Sequence, residues 1–162
     1  DRSPSRGLGD VYKRQGKKVD IVVDATKDLL LNVLKYHPFL IKPNNFELGE
    51  MFGVTLHSDE EIEEYAKRLQ ALGARNVAIS MAGDGSMLIT ETGETYRMGV
   101  PKGKVVNSVG AGDSMVAGFI ASYFAEHDYM KALKYGAATG SATAFSEGLA
   151  TKDQVETLLG QF

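Results

Sequence analysis

Asn107-Ser108-Val109-Gly110-Ala111-Gly112-Asp113-Ser114-Met115-Val116-Ala117-Gly118-Phe119 decides how this chain is read. The stretch follows a short β-type run, Lys104-Val105-Val106, and its spacing predicts that it opens a helix. Met115, Val116, Phe119, Ile120, Tyr123 and Phe124 recur at helical intervals and make one apolar stripe. Gly112, Ala117, Gly118 and Ala121 interrupt that stripe with small side chains, which predicts close packing against a sheet. Glycines at a strand-to-helix turn let bare backbone N–H groups converge, and the helix N-terminus adds partial positive charge there. The turn therefore suits an anion. A carboxylate in its first helical turn, Asp113, would repel that anion unless it has another task, such as accepting a proton from an attacking hydroxyl. Read as helix chemistry alone, the same acid gains only about 0.3–1 kcal/mol from the dipole. Other glycine motifs fail on spacing. A dinucleotide fingerprint begun at Gly110 needs glycine where Met115 stands, and no Gly-Lys-Ser/Thr loop occurs.

The full run resembles the carboxyl-terminal signature of the ribokinase-like (PfkB) family of sugar kinases. The resemblance implies an α/β protein of ribokinase-like three-layer α/β/α form, a mostly parallel sheet with helices on both faces. It implies that Gly110, Ala111, Gly112 and the Asp113 amide form an anion hole for the transferring phosphoryl group. Asp113 is then the base that deprotonates the sugar hydroxyl. ATP with Mg²⁺ is the implied donor and a sugar phosphate the implied acceptor.

Composition sets the outer bounds. The chain has 162 residues, enough for one domain with a core, and its 43% hydrophobic and 24% charged residues are ordinary for a globular protein. Eighteen basic against 21 acidic residues give −3, which points to neither nucleic acid nor a membrane as partner. The absence of cysteine excludes disulfides and thiolate chemistry. No apolar run approaches the ~18 residues of a membrane span, so a cytoplasmic protein is the default expectation. Residues 1–15 mix Arg, Ser, Pro and Gly without an apolar period or signal-peptide core. They are read as a non-family stub expected to lack order, leaving 16–162 as the nucleotide-binding and catalytic part.

Val19-Asp20-Ile21-Val22-Val23-Asp24 reads as a buried strand. Thr26 can cap a helix with Leu29, Leu30, Val33 and Leu34 on one face, ended by Pro38 before the strand Phe39-Leu40-Ile41. That is a βαβ unit, hence a parallel sheet. Lys42-Pro43-Asn44-Asn45-Phe46-Glu47 follows at the carboxyl end of the strand, where open α/β sheets place ligands. Asn44 and Glu47 have capping-box spacing. The segment is also similar to the family's Lys-Pro-Asn and Asn-x-x-Glu elements. By that resemblance Lys42 and Asn44 lie near nucleotide phosphates, and Glu47 places Mg²⁺ through water.

Ser58 to Glu61 has capping-box spacing for a helix through Leu72 that Gly73 stops, and its acids read as a solvated face. Asn76–Ser80, Met87–Thr90 and Thr95–Met98 read as strands, the last two joined at a Thr92-Gly93 turn. The turn Ser80-Met81-Ala82-Gly83-Asp84-Gly85 resembles the family's Ser-x-Gly-x-x-Gly nucleotide loop. Ser80 and Gly85 match it; Ala82 replaces the first glycine, with Gly83 beside it as the source of flexibility. Asp128 can cap a small-residue helix from Tyr129, and Thr151 with Gln154 a last one. The segment from Gly140 and Ser141 to Ala150 resembles the adenine-side wall of family members that phosphorylate fructose 1-phosphate; a small-residue helix ending at a glycine is the plainer reading. His37, His57 and His127 stand apart, as surface or boundary residues.

The resemblance makes fructose 1-phosphate the first-choice acceptor, giving fructose 1,6-bisphosphate. Tagatose 6-phosphate is the second, and a non-catalytic nucleotide-binding fragment is an alternative of another class. The family's sugar-binding glycine motif and β-sheet lid are not recognisable here. The chain alone is therefore expected to be inactive, a full-length form to be a homodimer, and the shortened sheet edge to invite association.

Overall fold

A computed structural model describes residues 20–23 and 27–162. The stub at 1–15, strand residues Val19 and Asp24 and the Thr26 cap lie outside the described residues. One five-stranded sheet runs in chain order: β1 (Val22–Val23), β2 (Leu40–Ile41), β3 (Asn76–Ser80), β4 (Ser86–Ile89) and β5 (Thr95–Met98). The first three strands are parallel, as the βαβ reading requires, and β4 and β5 continue antiparallel. Between β1 and β2 lies α1 (Lys27–Val33), prolonged by a 3₁₀ turn over Leu34–Tyr36. His37 stops that turn at φ +51°, and Pro38, lacking an N–H, begins the approach to β2.

Strand parity sorts the core into two layers. Ile41, Val77, Ile79, Met87 and Ile89 pack on one face against α1, α2 (Asn45–Phe52) and α3 (Asp59–Leu72) through Leu30, Leu48, Ile62 and Leu69. Leu40, Ala78 and Leu88 face the other way, onto α4 (Ala111–Glu126) and α5 (Tyr129–Ala144) through Met115, Phe119, Ala132 and Leu133. The short α6 (Lys152–Leu159) lies on α5 through Val155 and Leu158. This is the expected α/β/α sandwich. Side chains cap the starts of α2, α3, α5 and α6 at Asn44, Ser58, Asp128 and Thr151. The boxes at Asn44 and Thr151 are reciprocal, whereas Glu61 bonds the His57 N–H and leaves the Ser58 cap one-sided.

At the amino end of β3, Arg75 ties several elements together. It makes a two-point contact with Glu91, pairs with Asp20 beside β1 and lies over the Phe39 ring, while the Tyr129 hydroxyl donates to Glu91 at 3.1 Å. The Arg75 hydrogen bond holds the Glu91 carboxyl below the usual carboxylate range, and burial pushes the Tyr129 phenol up.

Three expectations need correction. Lys104-Val105-Val106 is not a strand: among the described residues no neighbouring strand pairs with it. The Val106 and Asn107 N–H groups donate instead to the Ala144 carbonyl at the end of α5, at 2.8 and 3.0 Å. The small residues of α4 do not meet the sheet. Gly118 is pressed by Thr139 and the Tyr135 carbonyl of α5, so the close approach is helix on helix, and Ala117 and Ala121 are exposed. Leu29 is exposed too, on the outer side of α1.

Candidate active site

The carboxyl ends of β2 and β3 and the amino end of α4 border one cleft of about 430 Å³. Ligand sites commonly have this size and this position in open α/β sheets. Asn44, Ser80 and Gly85 line it from the sheet side, Ala111 and Gly112 from α4, and Ser141 from α5. These sequence-predicted residues, drawn from four separate segments, are thus brought together. Asn44 and Ser80 meet in an isolated parallel bridge that extends the β2–β3 register past the strand ends.

The amino end of α4 differs from the other helix starts described with caps. Gly110 occupies the cap position at φ +79°, with no side-chain hydrogen bond to the helix. The Asn107 side chain accepts from Val109 N at 3.0 Å, Ala111 N donates back to Ser108 O at 3.2 Å, and Ser114 N begins the helical ladder on Gly110 O. The Ala111 amide is therefore used inside the turn. The Gly110, Gly112 and Asp113 amides have no protein acceptor among the described residues. Helix-start N–H groups left this way, at the positive end of the dipole, make an anion site.

Lys42 reaches the same turn from the end of β2. Its side chain is largely buried, and a Cβ placed on Gly112 would lie 3.2 Å from Nζ. An ammonium and a helix N-terminus are both positive and gain nothing from each other. An anion between them suits both.

Asp113, one residue past the cleft lining, is exposed. Ser114 behind it is buried and accepts a 2.9 Å hydrogen bond from Thr143 Oγ1, which itself accepts from Ala150 N. The first turn of α4 is therefore anchored to α5 directly beneath the exposed carboxylate. Glu47 uses Oε2 to accept from Asn44 N at 2.8 Å, while Asn44 Oδ1 accepts from Glu47 N at 2.8 Å. Oε1 has no hydrogen-bond partner among the described residues, and Glu47 follows the cleft residues Asn45 and Phe46 in the chain without itself lining the cleft. No group of three or more His, Asp or Glu side chains gathers to hold a metal among the described residues. A lone carboxylate with one spare oxygen fits a hydrated Mg²⁺ touched through water, and not a fully protein-ligated ion.

The Ser80–Gly85 turn departs from its sequence reading. Ala82 itself takes the left-handed conformation, at φ +47°, and lines the cleft. Gly83 has no positive φ, is exposed and is not brought into the cleft. The flexibility expected of Gly83 is not used, because the turn needs its left-handed residue one position earlier. Gly85 is required twice over: its φ is +94°, and a Cβ there would collide with the Met98 carbonyl of β5. Sequence reading missed Ser86, Ser108 and Phe46, which also line the cleft. For Ser86 a signal existed, since it shares strand parity with the inward Leu88.

The sheet between two helix layers, with an uncapped helix start at the carboxyl end of its parallel strands, is the arrangement of the ribokinase-like fold. The chain belongs to the pfkB family of carbohydrate kinases, whose profile matches residues 8–156. It is 47% identical over 152 residues to the 1-phosphofructokinase of Bacillus subtilis, covering 94% of this chain and 49% of that protein. A D-tagatose-1-phosphate kinase of Bacillus licheniformis is 37% identical over 145 residues, 89% of this chain and 47% of the relative. A Staphylococcus aureus crystal structure described as a phosphofructokinase superimposes with TM-score 0.91 at 40% identity, over 99% of this chain and 53% of that one. Arabidopsis thaliana ribokinase shares the fold, with TM-score 0.84 at 21% identity over 96% of this chain and 50% of its own. The chain spans about half the length of the curated relatives it matches. Among the described residues no helix is long and apolar enough to cross a membrane.

Proposed function

We propose that this chain carries the nucleotide-binding and proton-accepting part of an ATP-dependent sugar-phosphate kinase, acting on fructose 1-phosphate to give fructose 1,6-bisphosphate. The observation that carries the reading is that the uncapped start of α4, with Lys42 beside Gly112, borders the cleft, and that Asp113 in its first turn is exposed. Both positive features attract a polyanion, and Asp113 is the carboxylate that would take the proton of a hydroxyl attacking it.

In this reading the acceptor hydroxyl gives its proton to Asp113 while its oxygen attacks the terminal phosphate. The Gly110, Gly112 and Asp113 amides hold the transferring oxygens; donors of this kind are worth roughly 3–4 kcal/mol each, more than the ~2 kcal/mol limit of a dipole. Lys42 and Asn44 lie by the remaining phosphates, Ser80, Gly85 and Ser141 along the nucleotide, and Gly83 outside it. Mg²⁺, when bound, neutralises charge on the phosphate chain, with Glu47 orienting one of its waters. A complete polypeptide is a cytoplasmic homodimer in this proposal, and the present chain alone binds nucleotide without turning over. A tagatose phosphate is the second reading. The Bacillus licheniformis relative favours it, and its name puts the substrate phosphate on carbon 1 where the sequence reading had carbon 6.

The test is a thermal unfolding scan of the chain and of Asp113→Ala, with Mg-ATP or NADH. At ~100 times the dissociation constant, binding adds about 2.7 kcal/mol and raises the midpoint visibly. Mg-ATP but not NADH should raise it, equally in both chains. Joined to the amino-terminal half of the Bacillus subtilis relative, Asp113→Ala should lose about 10²–10⁴-fold in fructose 1-phosphate-dependent ADP release. Near-normal turnover would remove Asp113 from the role.

A further inference from the structure

Ser86 opens β4 opposite Ser80 of β3 and shares the parity of Leu88. Its side chain therefore lies between the sheet and the α4–α5 pair, where the cleft cuts in. It is 3% exposed, and its hydroxyl is the one buried side-chain polar atom without a hydrogen-bond partner among the described residues. Buried hydroxyls elsewhere in the core are paired: Thr143 donates to Ser114, and Thr90 to Glu94. Folded proteins rarely leave such a group unmatched, so an orphan calls for a physical account.

The surroundings narrow that account. Met115, Ala137 and Gly140 of α4 and α5 bring no polar side chain to the cleft, and the polar side chains that do line it, the cross-strand Ser80 among them, make no hydrogen bond with the Ser86 hydroxyl. The same cleft is bordered by the start of α4, beside which Lys42 lies, so its occupant is anionic and presents oxygens that accept. A serine hydroxyl facing such oxygens donates. We infer that Ser86 is a ligand-contacting residue whose Oγ–H donates to a phosphate oxygen of the nucleotide in this cleft. The inference rests on the nucleotide reading above and adds a contact that no motif assigns. It also explains why a hydroxyl stands at a strand position where an apolar side chain would pack without cost.

Calorimetric titration of the chain and of Ser86→Ala with Mg-ATP, inorganic tripolyphosphate and adenosine tests this. Hydrogen bonds to charged groups are among the stronger ones, so Ser86→Ala should weaken Mg-ATP and tripolyphosphate roughly tenfold or more and leave adenosine unchanged. Its ligand-free melting midpoint should hold or rise, because the substitution removes an orphan. Ser86→Cys, nearly isosteric and a poor donor, should behave as Ser86→Ala does and serves if the alanine variant misfolds. Unchanged Mg-ATP affinity in both variants, or weakened adenosine with intact tripolyphosphate, would overturn the assignment. So would a drop in the ligand-free midpoint with no change in affinity, which would make the hydroxyl structural. A wild-type chain that binds no Mg-ATP overturns the nucleotide reading itself; one that binds it as tightly as the variants overturns only this contact.

Discussion

Ala82 holds a backbone conformation that alanine avoids. Its φ of +47° costs about 1–2 kcal/mol for any residue with a Cβ, and a glycine would take it without strain. Against that relief stands the extra freedom glycine has in the unfolded chain, about 0.5–1 kcal/mol. Ala82→Gly should therefore stabilise the chain by about 0.5 kcal/mol, read as a higher urea midpoint with an unchanged slope. Gly83→Ala, with open space around the added methyl and no positive φ to lose, should be neutral or slightly stabilising. The sequence showed that a glycine was missing from the motif but not which residue would take the strain, because left-handed geometry depends on where the β3–β4 register closes the turn. Asn44 and Glu47 were legible for the opposite reason: a capping box is settled within four residues.

Among the elements, the α4–α5 pair positions the site, and three glycines set its spacing. A Cβ on Gly136 would lie 2.8 Å from the Met115 carbonyl and 3.3 Å from Phe119, and one on Gly140 would lie 2.9 Å from the Ala111 carbonyl. Gly118 meets α5 in the same manner from the opposite side. Alanine is better than glycine in a helix by about 1 kcal/mol, but overpacking a tight contact costs about 1–3 kcal/mol. Gly136→Ala should thus destabilise by about 1 kcal/mol in denaturant unfolding, against its helix propensity. Gly140→Ala, which pushes on the first turn of α4, should also weaken Mg-ATP binding. The helices themselves were legible from period and caps. Their mutual approach was not, since a row of small residues says that something comes close without naming it. The same gap misled the reading of Lys104–Val106: three β-type residues carry no information about whether a strand waits to pair with them.

For the molecule as a whole, the Arg75 cluster joins β1, β3, the β4–β5 turn and α5 at the end of the sheet away from the cleft. Glu91 titrates lower folded than unfolded, chiefly through its hydrogen bond to Arg75. Its contribution is therefore present above the ordinary glutamate range near pH ~4.3 and is lost as pH falls through the lower folded value. Tyr129 is raised, chiefly by burial, so its contribution is whole below the ordinary tyrosine range near pH ~10 and declines above it. Melting midpoints of Glu91→Gln should lie below wild type at pH 7 and converge with it in acid; Tyr129→Phe should flatten the alkaline limb. A gap between wild type and Glu91→Gln that persists undiminished in acid would place the effect in packing, not charge. The sandwich was legible because one βαβ unit fixes a parallel sheet and the signature's resemblance supplies helix layers on both of its faces. This cluster was not, as its members stand 55 residues apart at the widest pair.

The tether at the end of α5 sets a clock as well as a position. Val106 is 55% exposed, yet its amide and that of Asn107 are both held by the Ala144 carbonyl. Those two amides can exchange with solvent only when the segment parts from the end of α5. The segment that leads into the signature therefore opens at the rate at which it leaves the end of α5, and not at the faster pace of a free loop.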